Sequence, residues 1–296
     1  MSYPAPKWLL SANMVSRCYA GGQILPALER AGIEYQLFEG DSREQTQLRN
    51  FYHNLESSLK SSYVVWGDRF FCEGLQRQSP FQIFAHGLTD RTRFSWWAPR
   101  LRFTDPGSQN CLLNEDFVMV PWMDLRQRQA QWRAFFKGDG VFIRPDSGFK
   151  TFSGQPVMYA EWADHLNGVD ATSAVTDDTL CVVASLKPIT AEFRFIVAHG
   201  QVVAGSEYRY DGKLDVRRDY PPAAHELACK VAASPHQPDL VYTVDVAMVG
   251  EEARIVELNS FCCAGLYACD MEALVAGVQA ATLWEIADRN GDHDDD

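Results

Sequence analysis

The apolar positions of the first hundred residues change period repeatedly. Residues 24–31 repeat at helical spacing and stop at Gly32, after which residues 33–38 alternate as a strand does. A second helix is expected over residues 45–59. It leads into Tyr63-Val64-Val65-Trp66, a short apolar run that reads as a buried strand ending at Gly67-Asp68. Strand-like pieces recur at residues 81–84 and 101–103. Helix and strand in alternation predict a small α/β domain. The turn-forming cluster at residues 105–110 marks a candidate boundary. Beyond it the pattern predicts a strand at residues 117–120, a polar-faced helix at 125–136 and a region rich in β-hairpins. Further helices are expected near residues 158–166, 223–233 and 271–287. The reading is α+β for this larger part: an N-terminal α/β accessory domain over residues 1–115, a main domain over 116–287 and a structureless acidic tail over 288–296.

Composition narrows the class. At 46% apolar and 22% charged, the 296 residues match an ordinary globular protein with a substantial core. No apolar run is long enough to cross a bilayer, and MSYPAPKWLL lacks the basic-then-apolar order of a secretory leader, so a cytoplasmic location and no membrane partner are expected. The net charge of −12 opposes a nucleic-acid partner, although an acidic total still allows a local cationic pocket. Part of that charge is the tail Asp292-His293-Asp294-Asp295-Asp296, which has nothing to bury. The eight cysteines form no C-x-x-C pair and no zinc-ligand spacing, which predicts reduced core thiols. Cys262 and Cys263 stand apart because they directly follow the residues considered next.

Two β-rich segments, Tyr242 to Met248 and Ala253 to Asn259, flank Val249-Gly250-Glu251-Glu252 and outline a hairpin. Glu257 and Asn259 are two apart on one strand and project from one face. Asp245 joins that face if the register sets it opposite Glu257, which an odd-length loop or a bulge would do. Two carboxylates and a carboxamide would then form an all-oxygen site of the kind Mg²⁺ takes beside phosphates. A solvated acidic face is the alternative. Against it, Glu257 sits inside Ile-Val-Glu-Leu-Asn, where an unpaired carboxylate is costly to bury.

Upstream, the apolar run Val141-Phe142-Ile143 delivers Arg144, and a Gly/Ser-containing loop follows that carries Lys150. Such loops can cover phosphates while cations neutralise the oxygens. Alone this signal is weak, and its value comes from its position relative to the hairpin. A third block runs from Leu180 through Ala184, Ser185, Leu186, Lys187, Pro188 and Ile189, then to Glu192 and Arg194. Glu192, Arg194 and Ile196 share one strand face, with Phe193, Phe195 and Val197 towards the core. For Glu192 and Arg194 a cross-strand salt bridge is the plain reading. His199-Gly200 supplies a tight turn. The basic stretch at residues 213–218 reads as a loop, either solvated surface or a gate for an anionic substrate.

In this order the blocks resemble the ATP-grasp superfamily: a phosphate-binding cation on a strand, a lid loop, a segment contacting adenine, an E-x-R-like element, and a metal-binding Asp with a final Glu-x-Asn. The resemblance covers roughly residues 117–287. It implies two α+β subdomains clamping ATP, preceded by the small α/β domain. Arg144, Lys150, Ser185, Leu186, Lys187, Pro188, Ile189 and Glu192 would bind the nucleotide. Asp245, Glu257 and Asn259 would hold one or two Mg²⁺, and Arg194 and Lys187 would be catalytic. Arg144 stands where classical members have lysine, and the lid is poorer in glycine. The chain is similar to a divergent clade in which a C-terminal-subdomain lysine compensates, with Lys187 the first candidate and Lys150 the second. The resemblance implies an ADP-forming carboxylate–amine (or carboxylate–thiol) ligase acting through an acylphosphate on small-molecule or peptide substrates. A phosphotransferase and a non-catalytic nucleotide-binding module are the alternatives. A covalent enzyme using Cys262 or Cys263 is disfavoured, because no histidine is placed to activate either. A homo-oligomer is left open.

Overall fold

The computed structural model describes residues 3–19, 21–55, 61–78, 82–88, 111–147, 151–235 and 237–291. The expected strand at 101–103, the boundary at 105–110 and Lys150 lie outside the described residues. Of the structureless tail expected at 288–296, Asp288 and Arg289 instead belong to the last helix, and 292–296 lie outside the described residues.

The first sheet is parallel, in the order β2-β1-β3-β4, from β1 (Lys7–Ser11), β2 (Tyr35–Phe38), β3 (Tyr63–Trp66) and β4 (Ile83–Phe84). It carries α1 (Ala12–Arg17), α2 (Ile24–Arg30), α3 (Gln45–Asn54) and α4 (Arg69–Gln78). Strand alternation sorts its side chains into two cores. Leu9, Tyr63 and Val65 pack with residues of α3 and α4, whereas Trp8, Leu10, Val64 and Trp66 pack with α2 and the last helix of the chain. A sheet buried on both faces explains why Tyr63-Val64-Val65-Trp66 reads as a continuous apolar run. Each fully buried side chain of this size contributes roughly 1.5–3 kcal/mol. The two indoles are not stranded: Trp8 Nε1 donates to Gln279 Oε1 at 3.0 Å and Trp66 Nε1 to the Ala264 carbonyl at 2.9 Å.

The second sheet is antiparallel, β5-β8-β6-β7, from β5 (Val118–Pro121), β6 (Gly140–Pro145), β7 (Gln155–Met158) and β8 (Leu180–Ser185). Its core packs against α5 (Trp122–Gln127), α6 (Gln129–Phe135) and α7 (Trp162–Thr172) through Trp122, Leu125, Val141, Ile143, Trp162 and Val183. The third sheet is also antiparallel, β11-β10-β9-β12-β13, from β9 (Ala191–Ala198), β10 (Gln201–Tyr210), β11 (Lys213–Arg217), β12 (Val241–Val249) and β13 (Glu252–Ser260). On one face, Phe193, Phe195 and Val197 pack with Leu227, Ala228 and Val231 of α8 (Pro222–Ala232). On the other, Ile196, Ala198 and Ala204 pack with Leu274 and Val278 of α9 (Met271–Arg289). That second face turns polar towards Glu192 and Arg194, and there the site begins.

Several expectations need correction. The helix expected at 125–136 is two helices broken at Arg128, whose backbone (φ −111, ψ 31) leaves the helical region. The helix expected at 45–59 ends at Asn54. Residue 158 closes β7, and a 3-10 turn (Tyr159–Glu161) precedes α7. The basic stretch at 213–218 is largely strand β11, not a loop. Asp211 and Gly212 both take positive φ (47 and 72), the geometry of a two-residue hairpin turn, and fold it back on β10.

Candidate functional site

The second and third sheets face each other across a cleft of about 570 Å³, and both contribute charged side chains to its wall. The β12–β13 hairpin sets one side. Its two-residue turn at Gly250-Glu251 (φ of Gly250, 63) pairs Val249 with Glu252, and unbroken pairing from there would set Val256 opposite Asp245. The register shifts by one between Asp245 and Val246, so Val246 faces Ile255 and Asp245 faces Glu257. The bulge therefore brings Thr243, Asp245, Glu257 and Asn259 to one face.

Asp245 is almost fully buried and lies directly across from Arg194 of β9. The pair is bidentate: Arg194 Nε donates to Oδ1 at 2.8 Å and an Nη to Oδ2 at 2.7 Å. Asn259 Nδ2 reaches the same Oδ2 at 3.4 Å, and Arg194 also donates to the Gly265 carbonyl at 3.2 Å. The guanidinium carbon lies 5.6 Å and 5.2 Å from the ring centroids of Tyr208 and Tyr267, which stack at 4.9 Å. Burial alone would draw the Arg194 pKa down. The Asp245 carboxylate reverses this and holds it well above the ordinary arginine value. Burial, then Asp245 and Glu192, push the Tyr208 phenol well up, so it stays a donor and reaches Glu192 at 2.7 Å. Arg209 Nη1 meets Glu192 from the rim at 3.0 Å. The expected Glu192–Arg194 relation is thus divided: each has its own cross-strand partner.

From the second sheet, Arg144 at the end of β6 crosses the cleft to Glu257, 2.7 Å away. Lys187 lies beyond β8, with Nζ 2.8 Å from Asp116 Oδ1 and in short contact with Ser185 Oγ. Burial would raise the Asp116 pKa, but the hydrogen bonds from Lys187 and Ser185 lower it. Arg144, Leu186, Lys187, Ile189, Glu192, Arg194, Asp245 and Glu257 all line the cleft, whereas Ser185, Pro188 and Asn259 are not among its lining residues. Lys150 is outside the described residues. Sequence reasoning missed Asp116, which no local pattern ties to Lys187, and the Tyr208–Tyr267 pair, whose partners lie 59 positions apart.

Asp245, Glu257 and Asn259 offer only oxygen donors to a cation. Beside them the Thr243 hydroxyl oxygen is buried without a hydrogen-bond partner. This hard, oxygen-only set fits Mg²⁺. Two guanidinium groups stand on the two carboxylates, so an ion here would share the acids with Arg194 and Arg144.

The fold defined by these sheets is that of the ATP-grasp enzymes. The chain is similar to the D-cycloserine synthetase DcsG (TM-score 0.60, 12% identity, covering 94% of this chain and 99% of that one). It is also similar to D-alanine–D-alanine ligase from Bacillus anthracis (0.57, 13%, 96% and 97%) and to the ATP-grasp ligase PsnB complexed with a minimal precursor (0.54, 10%, 94% and 99%). The Bacillus anthracis ligase also has a structure complexed with ATP. No curated protein sequence matches the chain significantly. Residues 122–276 match the family model described as ATP-grasp domain, R-2-K clade, family 2, and the chain belongs to that family. Among the described residues no helix is long and apolar enough to cross a membrane.

Proposed function

We propose that this chain is a Mg²⁺- and ATP-dependent ligase that joins a carboxylate to an amine (or a thiol) through an acylphosphate and releases ADP. The observation that carries the reading is the meeting, in one cleft between two sheets, of Arg144 and Lys187 with Arg194, Asp245 and Glu257.

Arg144 and Lys187 bind phosphate oxygens from the second sheet. Lys187 takes the part of the compensating lysine of the divergent clade, and arginine at position 144 adds a bidentate grip. Leu186 and Ile189 pack against the base, with Ser185 and Pro188 supporting that segment. Glu192, held by Tyr208 and Arg209, presents a fixed acceptor beside it. Mg²⁺ held by Asp245, Glu257 and Asn259 supplies neutralisation of the phosphate charge that develops during transfer. Arg194, fixed by Asp245 and the two tyrosine rings, provides a preorganised positive charge where the acylphosphate forms. The substrate class is a small-molecule or peptide carboxylate, in keeping with ligases of this fold such as PsnB, which was solved with a precursor.

The test is incubation with Mg-ATP and pooled amino acids and peptides, reading ADP against AMP and the mass of any conjugate. The reading predicts ADP and a conjugate, with Glu257→Gln lowering turnover by roughly 10²–10³-fold. Turnover unchanged in both Glu257→Gln and Asp245→Asn would overturn the metal assignment. A product heavier by one phosphoryl group, without conjugation, would make the chain a phosphotransferase.

A further inference from the structure

Away from the cleft, three thiols meet where the first sheet touches the end of the metal hairpin. Cys72 comes from α4, and Cys262 and Cys263 from the segment just after β13. Their sulfur atoms all lie within 4.8 Å of one another, with Cys262 and Cys263 Sγ 3.6 Å apart. Cys72 and Cys262 are buried and Cys263 is half-buried. The backbone around them is pinned from two directions: Gly67 N donates to the Cys262 carbonyl at 2.9 Å, and Cys262 N to the His86 carbonyl at 3.2 Å. The cluster is therefore held in place by structure on both sides and not by one mobile loop.

The spacing has a chemical meaning. Three sulfurs each about 2.3 Å from a metal stand roughly 4.0 Å apart around a trigonal ion and roughly 3.8 Å apart in a tetrahedron. The 3.6 Å between the Cys262 and Cys263 sulfurs is close to that scale, and no pair of the three exceeds 4.8 Å. The thiols are also unequal. Hydrogen bonds from Cys262 and Cys72 hold Cys263 well below the ordinary thiol value, whereas burial pushes Cys72 and Cys262 well up. Cys72 and Cys262 share an apolar cluster with Leu9, Val65 and Phe71, and Cys263 packs against it. Asp68 and Glu73 add negative potential at Cys263, although Glu73 is itself paired with Arg69 and Arg77.

We propose that Cys72, Cys262 and Cys263 form a binding site for a thiophilic d¹⁰ cation, Cu⁺ or Zn²⁺, tying α4 to the strand end that carries Asn259. Each ligating thiol gives its proton to solvent as the metal–sulfur bond forms. Cu⁺ would be satisfied by three sulfurs, while Zn²⁺ would add a fourth ligand. The site is independent of the ligase reading and stands or falls separately.

The full chain, purified under reductant without chelator, is given Zn²⁺ or, without oxygen, Cu⁺. It is then passed through gel filtration, and retained metal is measured by mass spectrometry. The expected result is one retained ion per chain, with X-ray absorption showing three sulfur ligands. Cys72→Ser and Cys263→Ser should lose stoichiometric retention, while Cys181→Ser, at a buried thiol in a different core, should keep it. The sulfur count on the unsubstituted protein holds even if Cys72→Ser fails to fold. Retention of neither ion, retention unchanged in Cys263→Ser, or a disulfide-linked species that takes up no metal would overturn the proposal.

Discussion

The Arg194–Asp245 pair decides most at the residue scale. Both side chains are buried, and removing one partner leaves an uncompensated charge, which costs roughly 3–5 kcal/mol. Asp245→Leu should therefore lower the urea midpoint by that equivalent. Adding Arg194→Met should restore much of the stability, since apolar replacements of buried ion pairs are often neutral or better. If the pair serves the reaction, the doubly substituted chain folds and forms no ADP. Stability and turnover recovering together would make the pair structural only. Arg144 and Glu257 pose a different question, because their ion pair joins two sheets. Arg144→Lys keeps the charge but loses the fork, so the KM for ATP should rise more than kcat falls.

At the scale of elements, the close approach of α9 to β10 makes a counter-intuitive prediction. Ala in place of Gly277 would gain about 1 kcal/mol of helix propensity. Its Cβ, however, would stand 2.6 Å from Val203 Cγ1 and 2.9 Å from Val203 Cβ, a branched side chain that cannot swing away. Overpacking of this kind costs typically 1–3 kcal/mol. Gly277→Ala should thus destabilise the protein in chemical denaturation, and a stabilised variant would contradict the packing described. The same scale shows what the sequence makes legible. The hairpin turn at Gly250 and the Glu257/Asn259 spacing can be read directly, because turn chemistry and strand period are local. The bulge at Val256 cannot, since that residue looks like any other strand position, yet it decides whether Asp245 joins Glu257. The Asp211-Gly212 turn is local too, but the charge of residues 213–218 masks it. No Gly or Pro marks the break at Arg128, and the meeting of Cys72 with Cys262 joins segments distant in sequence.

Across the whole molecule, the first sheet is fastened to the third by apolar packing and a few polar contacts. One of these is titratable. Asp239, at the entry to β12, accepts from Gly87 N at 2.8 Å and lies 3.6 Å from His86 Nδ1. Burial would raise its pKa, but the hydrogen bond and charge of His86 lower it. A lowered carboxylate stabilises the fold above its unfolded value, near pH 4, and the contribution is lost as pH falls through the lower native value. Asp239→Asn should weaken the protein at neutral pH and flatten the loss of stability in acid, as read from urea midpoints against pH.

The central claim is that both sheets close on one Mg-nucleotide, the second sheet through Arg144 and Lys187 and the third through Asp245 and Glu257. Isothermal titration of the intact chain with ATP, with and without Mg²⁺, tests it most directly. Saturable binding that needs Mg²⁺ and is weakened at least tenfold, about 1.4 kcal/mol, by Glu257→Gln is the predicted result. Affinity that is indifferent both to Mg²⁺ and to that substitution would contradict it.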